Sequence, residues 1–255
     1  MVGSVSAGTR TVVSVVTRAR YEDVWRALRD PAEIARWFGW DYEGLHEEIE
    51  TFFVAQAVEG VDSQHHRALT MKNGDRLALV VEGEKTRITV TRRTHEALDR
   101  HESYDGLYDA IDEGWISFVH QLRFYLEKHP GVDRRTLSAL GLPMGPRNDS
   151  LLDRLGLLAV RGTPVGAAYS ATRPPDNRPM GGQIWYRTEL QTGMTLASEY
   201  GEALLVIARV PSGTRPPHGE VNLVLNTYGL DAAAFAGVQE RWDRWLEFGQ
   251  SRRAG

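Results

Sequence analysis

The sequence predicts an α+β chain of two consecutive domains, each an antiparallel sheet covered by one long helix. Three observations carry this. Short β-branched runs recur between turn signals in both halves. Each set of strands ends in a long amphipathic helix. A stretch richer in glycine and proline, 131–182, separates the two. The expected domains are 1–130 and 131–255. One-sided strands need a cover, and each half supplies one.

The first element is 11–17, Thr-Val-Val-Ser-Val-Val-Thr, too short and too β-branched for a helix. A helix follows with Tyr21, Val24, Trp25 and Leu28 at helical spacing. Asp30-Pro31-Ala32-Glu33 then starts a second helix, with an N-cap acid, a first-turn proline and a capping-box glutamate. It carries Ile34, Trp37 and Phe38 on one face and stops near Gly39. Residues 41–53 read either as a helical turn or as an edge segment. Strands are expected at 52–58, 65–71, 76–82 and 87–93, with Asn73-Gly74 as a tight hairpin turn.

A helix is expected from about Leu107 to His129. Trp115, Phe118, Val119, Leu122, Tyr125 and Leu126 form its apolar stripe, and Pro130-Gly131 ends it. Beyond it, 150–158 reads as a short helix and 173–179 as a loop. Strands follow at 183–189, 195–199, 203–210 and 220–227. Asp231 caps a final helix reaching Phe248. Shifting Trp115, Phe118, Leu122, Tyr125 and Leu126 by 120 residues lands on Phe235, Val238, Trp242, Trp245 and Leu246. The second half reads as a diverged or reduced copy of the first.

Composition excludes several chemistries. There is no cysteine, hence no disulfide, thiolate nucleophile or cysteine-ligated zinc. The net charge of -4 argues against nucleic-acid binding. No apolar run approaches the ~20 residues that span a bilayer, and the first eight residues lack a signal-peptide pattern. The expectation is a cytoplasmic protein with no nucleic-acid partner and no membrane insertion.

Val24-Trp25-Arg26-Ala27-Leu28-Arg29-Asp30-Pro31, followed by Ile34-Ala35-Arg36-Trp37-Phe38, resembles the opening of START-like (SRPBCC) domains. Glu113-Gly114-Trp115-Ile116-Ser117-Phe118, with Gln121 to Glu127, resembles the closing helix of one bacterial branch. That branch is similar to the C-terminal domain of the activator of the Hsp90 ATPase. The resemblance covers about 10–130. It implies a helix-grip fold, in which a curved sheet wraps the long helix around an apolar cavity.

Within that expectation, Trp37, Phe38, Trp40 and Trp115 either line a ligand cavity or fill the core. Tyr104 and Tyr108 would add hydroxyls at its entrance. Trp25 and Phe118 read as core. His46 and Glu50 could face one metal on a helix, but two ligands make a poor site, so no metal and no cofactor is expected. Glu47, Glu48 and Glu50 could serve acid–base chemistry only if buried. His65 and His66 point to opposite faces of a strand, and His120 falls on the solvent side of its helix. In the second half Trp185, Tyr186, Arg187 and Tyr228 alternate on strands; Arg187 could bind a ligand carboxylate, although a surface ion pair is the commoner fate of such a group.

Three functions stay open: binding a small apolar or amphipathic molecule in a non-catalytic or regulatory role, cyclase or hydratase chemistry, and an Hsp90-activator-like interaction with a protein partner or a second copy. The activator's separate N-terminal domain has no match in this sequence.

Overall fold

The computed structural model describes residues 8–63, 66–97, 104–197 and 201–251. The chain divides into two compact units, Met1–Val132 and Asp133–Gly255. Both are α+β with a wholly antiparallel sheet. Among the described residues no helix is long and apolar enough to cross a membrane.

The first unit begins with strand β1 (Thr9–Thr17), helix α1 (Tyr21–Arg29) and helix α2 (Pro31–Ile34). Asp30 caps α2 through Ala32 N at 2.9 Å, with Pro31 in the first turn. The Glu33 carboxylate does not close a capping box; it turns to Arg36, 3.1 Å away, and to the Tyr125 hydroxyl. Helix α3 (Leu45–Ile49) then runs into a π-helical turn, Glu50–Ala55. Residues 52–55 of the strand expected at 52–58 are therefore helical, and strand pairing begins only at Val58. Ile49 and Phe53 are both fully buried at i, i+4 spacing, so the apolar face here is a helix face.

Strands β2 (Val58–Ser63), β3 (His66–Thr70), β4 (Arg76–Glu82) and β5 (Lys85–Arg93) follow. The sheet order is β1-β5-β4-β3-β2. At the β3–β4 turn only Gly74 takes a positive φ, +90°. Asn73 instead accepts from Asp75 N through its side chain at 3.0 Å. Helix α4 (Ala110–Lys128) packs on β1 and buries Trp115, Val119, Leu122 and Tyr125. It starts at 110 rather than 107 because Asp109 caps it through Ile111 N and Asp112 N.

The second unit contains β6 (Arg134–Pro143), α5 (Leu151–Arg154), β7 (Ala168–Arg173), β8 (Arg178–Arg187), β9 (Gln191–Leu196), β10 (Ala203–Val210), β11 (Glu220–Tyr228) and α6 (Ala232–Ser251). Its sheet order is β6-β11-β10-β9-β8-β7. Strands β6 and β7 were not expected. β6 carries two arginines, a glycine and a proline, and is held by pairing from Arg134↔Tyr228 to Glu220↔Pro143. The 150–158 helix shrinks to α5, capped by Ser150. Asp231 accepts from Ala234 N at 2.8 Å at the start of α6. Phe235, Val238, Trp242, Trp245 and Leu246 are all buried.

The two sheets share a connectivity. In each, the first strand pairs with the last, the rest meander outward, and a long helix closes the unit.

Candidate functional site

In the first unit, Trp37, Phe38 and Trp115 come together with Phe52, Phe53 and Phe118. Trp37 is fully buried, and its indole donates to Ala27 O at 2.8 Å. Its ring meets Phe38 and Phe53 edge-on at 5.8 and 5.7 Å. Phe38 lies 4.8 Å from both Phe53 and Phe118. Such edge-to-face packing fills space with rings. Phe52 and Phe53 join because 50–55 is helical, which the strand reading hid. Trp40 is half-buried. Trp25 is not core: it is half-buried, with the Arg67 guanidinium 5.5 Å from its ring centroid.

Tyr104 and Tyr108 lie elsewhere, on the loop entering α4. Tyr104 stacks on His95 at 3.7 Å and donates to Gly106 O; Tyr108 is half-buried. His95 leads into a buried ion network that sequence reasoning missed. Arg92, 2% exposed in its side chain, reaches Asp75 at 2.9 Å, Asp109 at 3.0 Å and Asp112 at 2.6 Å. Burial opposes the Arg92 charge, but the hydrogen bonds and charges of these carboxylates outweigh it and raise its pKa. Arg10 adds bonds to Asp109 and Asp112 and approaches His95 Nε2 at 2.7 Å. The remaining Asp75 oxygen accepts from the Trp115 indole at 2.7 Å. His95, Asp109 and Asp112 could reach one cation. Both aspartates, however, are already bonded to Arg10 and Arg92, whose positive charges would repel it. The network is built to hold the α4 N-terminus on β5.

His46, Glu47, Glu48 and Glu50 are exposed, a solvated face rather than a buried acid–base pair. His66 is half-buried, and His65 lies outside the described residues. His120 corrects the sequence reading: it is half-buried, and burial, aided by Arg123, lowers its pKa from 6.5 to about 3. The helical angle places it off the Trp115 stripe, but burial is decided by what packs there. A depressed pKa means that the unfolded chain takes up the proton first as pH falls. Stability is expected to be flat above pH 6.5 and to decline below it, by on the order of 1–2 kcal/mol at pH 5. Urea midpoints of the protein and of His120→Gln, compared between pH 7 and pH 5, check this; equal pH dependence in both would refute it.

The second unit holds a cavity of about 530 Å³. Its sheet wall is the end of β8, β9 and β10: Arg187, Thr192, Ile207 and Arg209. Arg187 sits opposite Thr192 and Arg209 N bonds to Leu190 O, so the pairing register sets this wall. The opposite wall is the segment from Met144 to Arg161, supplying Leu152, Leu157 and Val160. Arg187 ties the two together, donating to Val160 O at 2.8 Å, Thr163 O at 3.1 Å and Thr192 Oγ1 at 2.9 Å. The lining also includes Arg147, Arg161 and His218. Among the described residues singled out from sequence, Arg187 alone lines this cavity. Its long-range partners, absent from any local motif, make the site.

No protein-family model and no curated protein matches the chain. Among solved structures it is similar to DynU16, a protein of the dynemicin biosynthetic locus, over 95% of this chain and 94% of that one, at 15% identity and a TM-score of 0.30. It is similar to SA2116 of Staphylococcus aureus, a protein of unknown function, over 47% of this chain and 88% of that one, at 8% identity and a TM-score of 0.31. Likenesses this weak carry no argument, and the site stands on the chain's own geometry.

Proposed function

We propose that this protein binds a small amphipathic molecule in the cavity of its second unit, in a non-catalytic or regulatory role. The observation that carries the reading is the cavity of about 530 Å³ between the sheet and the 144–161 segment. Its lining combines apolar Leu152, Leu157, Val160, Leu190 and Ile207 with arginine, serine and threonine side chains. This size and mixture suit a small molecule, with desolvation of the apolar side chains supplying most of the affinity. The START-like resemblance, carried by about 10–130, implies a ligand cavity, and the second unit shares the first unit's strand-then-helix layout. We place the ligand here rather than among Trp37, Phe38 and Trp115, because those rings occupy the space between themselves.

The neutral dye N-phenyl-1-naphthylamine tests the proposal. It is expected to bind with enhanced fluorescence, and Leu190→Trp is expected to weaken binding at least about tenfold by filling the cavity. Trp40→Ala, in the other unit, is expected to leave binding unchanged. Equal binding by Leu190→Trp, with its urea midpoint retained, would remove the assignment.

A further inference from the structure

We infer that the ligand of this cavity is an amphipathic anion, with a carboxylate or phosphate-ester head held by the arginines of the lining and its apolar body on the lining's leucine, valine and isoleucine side chains. This rests on the cavity reading and names the ligand class for the same site. The lining carries Arg147, Arg161, Arg187, Arg209 and His218 and, among the described residues, no aspartate or glutamate. The whole chain is acidic, at -4, so the lining runs against the overall charge.

The partners of these groups sharpen the point. Arg161 is neutralised by Asp153, 3.2 Å away, outside the lining. Arg187 bonds two carbonyls and a hydroxyl, and Arg209 donates to the Glu189 carbonyl; none of these bonds cancels a charge. Among the described residues, the side chains of Arg147 and His218 have no partner. Their loops are brought side by side where Met144 N donates to Gly219 O at 3.0 Å. Arg147, Arg187 and Arg209 therefore present uncompensated guanidinium charge around one mouth, and His218 adds two ring nitrogens. Guanidinium groups match the paired oxygens of carboxylates and phosphates, and a concave site of one charge sign concentrates the opposite sign. Leu152, Leu157, Val160 and Ile207 line the same cavity and offer the apolar body its contact surface.

Displacement of bound N-phenyl-1-naphthylamine by three ten-carbon probes separates the possibilities. Decanoate is expected to bind about tenfold more tightly than decan-1-ol in low salt and to lose most of that advantage in 0.5 M NaCl. Decylamine is expected to bind more weakly than either. Decyl phosphate, run beside decanoate, distinguishes the two head groups by their relative affinity. The double variant Arg147→Gln/His218→Gln, which breaks no hydrogen bond or ion pair among the described residues, is expected to weaken decanoate about fivefold and leave decan-1-ol within twofold. Equal affinity of decanoate and decan-1-ol, or a preference for decylamine, would overturn the anion inference and leave the cavity reading standing. Failure of dye and all probes to bind would overturn both.

Discussion

Replacing Arg92 by methionine is expected to lower the unfolding free energy of the first unit by about 3–5 kcal/mol, the largest single effect outside the aromatic cluster. The reason lies in what stays behind. Arg92 is 2% exposed in its side chain and faces Asp75 and Asp109, each 4% exposed, and Asp112. Methionine fills similar space but leaves these carboxylates buried beside one another with one cation fewer. Arg10→Met, at a side chain 24% exposed, is expected to cost about 1 kcal/mol, because water screens that group. Adding Asp75→Asn to Arg92→Met removes one stranded charge and keeps an acceptor for the Trp115 indole; it is expected to recover about 1–2 kcal/mol. Urea unfolding followed by tryptophan fluorescence reads all three. A loss below 1 kcal/mol for Arg92→Met would mean that water reaches the network.

Trp37→Ala is expected to cost about 3–5 kcal/mol. It deletes the largest fully buried side chain of the unit and leaves Ala27 O without its indole donor. The rings of Phe38 and Phe53, at 5.8 and 5.7 Å, lose a neighbour they cannot replace without shifting α2 or the π-helical turn. Trp25→Ala, at a half-buried position under Arg67, is expected to cost about 1 kcal/mol. The contrast between the two tryptophans is the informative measurement. Similar small losses at both sites would mean that Trp37 lines open space, which would return the apolar ligand to the first unit.

The α+β class, the two long helices and most strands of the meanders are legible in the order of residues alone. These follow from short-range causes: β-branched runs, the Asp30-Pro31 and Asp231 starts, and the stripes through Trp115 and Trp242. Where local signals conflicted, packing decided. Phe52 and Phe53 have strand propensity, yet their rings close the Trp115 cluster only from a helical turn. β6 exists because β11 pairs with it across some ninety residues, despite its poor composition.

The ion network and the cavity exist only once the chain has folded. Arg10, Asp75, Arg92, Asp109 and Asp112 form no motif along the chain, and charge alone does not tell a buried group from a solvated one. The cavity likewise depends on loops 144–161 and 211–219 meeting the ends of β8 to β10. Periodicity records which face of an element is apolar, since neighbours three or four residues apart share that face. Burial of a charge, and the empty space beside a sheet, depend on segments far apart in sequence, so they are settled when the chain closes on itself.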